Sequence, residues 1–270
     1  MAVLANGHLA GVQATPQHQY VWHWVQDLPA STYLYSVVAG PFTRLSDNWR
    51  GRPVDYWTYA DTVNSAWRTF GETPTMIEVY SQVLGVPFPW DKYDQSIIPD
   101  FTYGGMENVS ATTQTDLALH GPGGEPEQSG RGLNAHELAH QWFGDLTTTA
   151  DWSDIWLNEG ITTYMESVEN EKTRGWNEAA LEWGDQQRFA MGADQNEMRP
   201  AFFFCGPKKI VALSAADAGV SWMRMPAFAS CAMITSWRCI DARSDQPTIG
   251  ISIPLGWPAS ARSLRARSGS

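Results

Sequence analysis

The sequence is poor in features that mark several protein classes. Its three cysteines, Cys205, Cys231 and Cys239, form no Cys-x-x-Cys pair, which excludes a disulfide framework or a zinc ribbon as the organising device. No apolar run reaches the ~18 residues that a membrane-spanning helix requires, so no transmembrane segment is expected. The start, Met1-Ala2-Val3-Leu4-Ala5-Asn6-Gly7-His8, has no basic stretch and too short an apolar one for a signal peptide. A soluble chain that begins within a fold is expected, its compartment left open. Positive charge is scarce: 18 Lys+Arg face 29 Asp+Glu, a net charge of −11, which argues against nucleic acid as a partner. Such acidity would suit a substrate with a free amine, although ordinary solubility charge explains it better.

The scarcity is uneven. Residues 205–270 contain no His, Glu or Tyr, and carry 8 Lys+Arg against 3 Asp+Glu. Residues 1–204 carry 10 against 26. All three cysteines also lie in the later stretch. This change of character sets residues 205–270 apart.

What is present centres on His136-Glu137-Leu138-Ala139-His140, followed 19 positions later by Glu159. Residues four apart share one face of a helix, so His136 and His140 can present both imidazoles to one ion. A catalytic zinc site takes three N/O ligands and keeps one position open for water. Glu159 is the candidate third ligand. Glu137 stands beside the histidines, where it can take a proton from the attacking water. Glu166, seven positions after Glu159 on the same face, is the candidate acceptor for a histidine N–H, with a solvated surface glutamate as the equal alternative. A bare His-Glu-x-x-His match arises in about one window in 8,000 by chance, so it does not decide the matter alone.

Around this motif, Tyr20–Val25, Thr32–Val38, Val54–Tyr59, Gln95–Ile98 and Met106–Ser110 read as strands, with Asn6-Gly7 as a hairpin signal. A helix is expected up to Phe70, and a second begins at Thr73-Pro74, with threonine as cap and proline at the first position, and ends before Gly85. Residues 121–131 read as loop, with His120 at its mouth. The two motif helices follow. Strands first and helices after predict an α+β arrangement.

Further residues carry a resemblance. Gln141-Trp142-Phe143-Gly144-Asp145, Trp156-Leu157-Asn158-Glu159-Gly160 and, upstream, Gly104-Gly105-Met106-Glu107-Asn108 stand in the order and spacing of the aminopeptidase N-type zinc metallopeptidases (peptidase family M1, gluzincins). The chain resembles a truncated fragment of that family over residues 1–200, most strongly from Asp100 to Glu166. The resemblance implies a thermolysin-like catalytic domain over residues 44–204, preceded in 1–43 by the last strands of an N-terminal β-domain. It implies one Zn2+ held by His136, His140 and Glu159, with Glu137 as general base. Gly104, Gly105, Met106, Glu107 and Asn108 would bind the substrate, Glu107 facing the free N-terminus of a peptide. Such an amine is largely cationic at neutral pH, which suits a carboxylate partner.

The resemblance also fails in places. The family places an oxyanion-stabilising tyrosine some 65 positions after the glutamate ligand, but the last tyrosine here is Tyr164 and the corresponding stretch reads Val220-Ser221-Trp222-Met223-Arg224-Met225-Pro226. Most of the family's N-terminal β-domain and its C-terminal helical domain have no counterpart. Residues 205–270 are therefore read as an aberrant tail, frameshifted or disordered, with a divergent packed segment as the alternative. The expected function is hydrolysis of N-terminal residues from peptides, weak or absent in this chain. The alternatives are a non-catalytic zinc-binding remnant, an epoxide hydrolase-like enzyme, or an endopeptidase of the same fold.

Overall fold

The computed structural model describes residues 1–17, 19–124, 130–195 and 248–253. They belong to two compact units, one of Met1–Gly71, Trp90–Gly130 and Ala242–Ser270, the other of Glu72–Pro89 and Arg131–Asp241. All three cysteines and the Val220–Pro226 stretch lie outside the described residues.

The first unit is built on strands. β1 (Ala2–Ala5) pairs antiparallel with β4 (Val37–Gly40). β3 (Tyr20–Val25) pairs antiparallel with β2 (His8–Ala14) on one side. Five further strands form one mixed sheet: β5 (Thr43–Trp49), β6 (Arg52–Thr58), β7 (Tyr93–Ile98), β8 (Gly105–Met106) and β9 (Ala111–Thr115), in spatial order β5-β6-β7-β9-β8. β6, β7 and β9 run parallel, and β5 and β8 close the ends antiparallel. The link from β6 carries α1 (Val63–Phe70). In the tail, β10 (Thr248–Ile253) adds to the free side of β3. Leu4, Ala5, Trp24, Trp57 and Ala111 bury one another, so β1 and β3 pack in the same core as β6 and β9.

Four local expectations are corrected here. Asn6-Gly7 turns the chain, with φ +72° at Gly7, but joins strands of different sheets rather than a hairpin. The Asn6 side chain supplies the reason: Nδ2 donates to Leu34 O (3.0 Å) and Val109 O (2.6 Å), and Oδ1 accepts from Ser36 N (2.8 Å). Those long-range bonds hold the chain where a ladder partner would otherwise lie. Thr32–Leu34 is a 3-10 turn with Leu34 fully buried, not the start of a strand. The strand expected over 106–110 stops at Met106, because Asn108 N donates back to Met106 O (2.8 Å) and Ala111 N to Asn108 O (2.9 Å). His120 is buried, its Nδ1 3.1 Å from Thr69 Oγ1, rather than at a loop mouth.

The second unit contains helices α2 (Thr73–Leu84), α3 (Arg131–Ala139), α4 (Trp156–Arg174) and α5 (Trp176–Gln195). Helical backbone already begins at Thr73, with Pro74 in the first turn, where no intrahelical N–H is needed. Gly85, at φ +68°, ends α2. Thr73 is thus inside the helix, and its Oγ1 instead accepts from Asn134 Nδ2 (2.9 Å). Met76, Ile77, Tyr80 and Leu84, spaced three and four apart, give α2 its buried face. Trp142 meets the rings of Tyr80 and Phe88 at 5.9 and 5.5 Å, and its indole N–H donates to Val86 O (3.0 Å). No helix among the described residues is long and apolar enough to cross a membrane.

A Cβ on Gly7 would collide with Val25 O and lie 2.8 Å from Gln26 Cα. Both contacts are backbone and cannot rotate away. Gly7→Ala is expected to destabilise the chain by about 2–4 kcal/mol in denaturant unfolding. A change below about 0.5 kcal/mol, the ordinary surface range, would contradict this packing.

Candidate metal centre

Within the second unit, the last turn of α3 and the first turn of α4 bring three ligand-type atoms together. His136 Nε2 and His140 Nε2 are 3.1 Å apart, and Glu159 Oε2 lies 3.3 Å from the first and 3.6 Å from the second. Donor atoms about 2.05 Å from a tetrahedral zinc would stand about 3.3–3.4 Å apart. The three atoms therefore have the chemistry and the spacing of a closed face of such a site.

The outer nitrogens fix the orientation of both rings. His136 Nδ1 is 2.6 Å from Glu166 Oε1, and His140 Nδ1 is 2.9 Å from Phe143 O. A carbonyl or carboxylate oxygen there accepts an Nδ1–H, which leaves the Nε2 lone pair facing inward, as metal ligation requires. Although α3 ends at Ala139, His140 N–H still donates to His136 O (3.2 Å), so the i, i+4 alignment survives.

The spacing of the two helices is set from outside the motif. The buried Tyr80 hydroxyl lies 3.0 Å from Ala135 O and 3.2 Å from Met165 O. These carbonyls belong to the residues just before His136 and Glu166. At the other end of α3, Arg131 Nη2 donates to both oxygens of the buried Glu169 (2.5 and 2.7 Å) and to Thr173 Oγ1 (2.7 Å).

The electrostatics match a site made for a cation. Burial disfavours the His136 imidazolium, but hydrogen bonds with Glu159 and Glu166 and the Glu137 charge outweigh it, so its pKa is pushed up to about 10. Hydrogen bonds from His136 and then His140 hold the Glu159 carboxyl well below the usual carboxylate range, against its partial burial. Glu137, next to His136, is 5% exposed.

The Gly104–Asn108 segment belongs to the first unit. Gly105–Met106 is β8, an end strand of the five-stranded sheet among the described residues. Gly104 O accepts from Thr115 N (2.9 Å), Asn108 Oδ1 accepts from Thr113 Oγ1 (2.9 Å), and Glu107 is 7% exposed in the turn that follows. Tyr164 sits against the Trp183 ring on α5, 5.1 Å between centroids. Sequence patterns did not disclose the Phe143 carbonyl or the Tyr80 hydroxyl. A backbone carbonyl has no residue signature, and Tyr80 reads only as one more apolar position of α2.

Residues 68–202, half of the chain, match the family model described as the peptidase family M1 domain. The chain is 36% identical over 151 residues to the human endoplasmic reticulum aminopeptidase 1, covering 54% of this chain and 16% of that protein. It is 33% identical over 167 residues to the leukotriene A-4 hydrolase of Xenopus laevis, covering 62% and 26% respectively. The chain thus spans about a quarter or less of the length of these relatives.

Against the cost of burial, hydrogen bonds with Glu159 and Glu166 raise the His136 pKa, so metal uptake near neutral pH must displace a proton from its Nε2. Zinc titration of the metal-free protein in weak buffer at about pH 7 is expected to show about one ion per chain and about one proton released, with affinity falling as pH falls. His140→Ala should abolish the uptake. Full zinc retention in that variant would remove the assignment.

Proposed function

The chain belongs to peptidase family M1, and on that premise we propose that its chemistry is that of a zinc-dependent aminopeptidase releasing N-terminal residues from peptides. The observation that carries this is the convergence of His136, His140 and Glu159 beside the buried Glu137. The two imidazoles and the carboxylate would hold one Zn2+. When bound, zinc lowers the pKa of its water to about 7 and polarises a carbonyl oxygen. Glu137 accepts the proton of the attacking water and delivers it to the leaving amine. Glu166 and Phe143 O keep the imidazoles in the ligating tautomer.

Glu107 is the proposed anchor for the substrate's terminal ammonium, which would fix the scissile bond one residue in. Gly104 and Gly105 lack side chains, so a peptide backbone can approach β8 and pair with it by strand addition. A second reading, a related hydrolase of the same fold, is favoured by the similarity to a leukotriene A-4 hydrolase. For this chain we propose weak or no turnover, since the Val220–Pro226 stretch, where the family's oxyanion-stabilising tyrosine is expected, holds no phenol. The division into strands of a β-domain (1–43), a catalytic domain (44–204) and an aberrant tail (205–270) belongs to the same proposal. The family match ending at residue 202 supports its last boundary.

Three expectations test this. Release of an N-terminal residue by the chain should run more than tenfold below an ordinary turnover of about 10 s⁻¹, since one missing oxyanion donor costs about 10²–10³. Turnover near the ordinary value would show that another group replaces the tyrosine. Under single-turnover conditions, Glu137→Gln should keep its zinc and lose a further ~10²-fold or more in rate. Glu107→Ala should slow free-N-terminus peptides more than acetylated ones. Equal losses on both would remove the anchor.

A further inference from the structure

Gly144 lies just beyond the metal motif, in a loop held by a dense set of bonds. Gly144 N donates to Thr147 O (2.6 Å), Asp145 N to His140 O (3.1 Å), and Thr147 N and Oγ1 both to Trp142 O (3.1 and 2.8 Å). Trp142 is itself anchored in the core of the second unit, so the loop cannot drift. This loop sets the Phe143 carbonyl 2.9 Å from His140 Nδ1.

Two features make position 144 unusual. Its φ is +122°, a conformation that a residue with a side chain strongly disfavours. A Cβ there would stand 3.2 Å from His140 Nδ1 and 3.4 Å from Asn158 Nδ2. The first contact is tighter than ordinary van der Waals packing and falls on the nitrogen whose hydrogen bond fixes the tautomer. Asn158 is fully buried and immediately precedes Glu159 on α4. The bare Cα of Gly144 thus lies between the ring of one candidate ligand and the neighbour of another.

We propose that Gly144 is a positioning residue for the metal centre: its backbone aims the Phe143 carbonyl at His140 Nδ1, and its missing side chain lets the imidazole and Asn158 close around it. His140 is thereby held with Nε2 as the ligating nitrogen. The inference rests on reading His136, His140 and Glu159 as a metal site, and it assigns Gly144 no contact with substrate.

The matched controls are Gly85 and Gly175, both in the second unit. Their φ values are +68° and +88°, and a Cβ at either would meet nothing within 4 Å. G85A and G175A therefore impose backbone strain without the contact. Metal-free wild type, G144A, G85A and G175A would be titrated with Co2+, followed by its visible absorption, and the His140 tautomer read by ¹⁵N NMR. G144A is expected to bind about 10–100-fold more weakly, with His140 shifted away from the Nδ1–H tautomer, while the controls stay within about threefold of wild type. If G144A is too unstable in plain buffer, the same titration in TMAO, which favours the compact state, reads the same ratio. Wild-type-like affinity and tautomer in G144A would overturn the inference while leaving the metal site standing. Equal weakening in the controls would also overturn it, because strain alone would then explain the loss. Failure of wild type to bind Co2+ or zinc would remove the metal reading and this inference with it.

Discussion

A buried phenol sets the distance on which the candidate metal centre depends. Tyr80 places its hydroxyl between the carbonyls of Ala135 on α3 and Met165 on α4, the positions just before His136 and Glu166. At this helix spacing His136 reaches Glu166 at 2.6 Å with Nδ1 and Glu159 at 3.3 Å with Nε2. One imidazole thus spans two turns of the neighbouring helix. Leaving a buried hydroxyl or carbonyl unsatisfied costs about 1–3 kcal/mol, so this spacing is well enforced. The aromatic packing of Tyr80, Trp142 and Phe88 supports the same element from below.

A comparable constraint shapes the first unit around the turn that carries Glu107 and Asn108. Asn6 Nδ2 reaches Val109 O, Gly7 N donates to Ser110 Oγ (2.8 Å), and Lys92 Nζ donates to Ser110 O (3.0 Å). Lys92 is buried against the Trp24 ring and paired with Asp94 at 2.9 Å. Burial pushes the lysine pKa down and that of Asp94 up, against their mutual attraction. Such a pair is retained for geometry more readily than for net stability. Residues far apart in sequence therefore converge on one short turn beside β8, an end strand among the described residues.

Family membership and site geometry constrain different things. Membership rests on a match over residues 68–202 and on similarity to relatives whose names describe an aminopeptidase and a leukotriene A-4 hydrolase. Those similarities are of like strength, so they favour neither relative's substrate over the other. The bonds at the two Nδ1 atoms bear on how the histidine rings are held, not on what is bound.

The two-helix pattern around His136 and Glu159 was legible in the sequence because helical periodicity is local: residues four or seven apart must share a face whatever surrounds them. The same holds for α1 and α2, for β3 and β7, and for the order of strands before helices. Local signals misled where a distant partner decided the outcome. Asn6-Gly7 carries a hairpin signature, yet Asn6 bonds to Leu34 and Val109 and sends the next strand into another sheet. Thr32–Val38 alternates like a strand, but burial of Leu34 curls its first turn into a 3-10 helix. Sequence alone thus determined that His136 and His140 can share one ion, since a helix's own geometry enforces that. Tertiary structure alone decided what holds them there: the Tyr80 hydroxyl, the Phe143 carbonyl and the bare Cα of Gly144 act through contacts between segments that chain order does not encode.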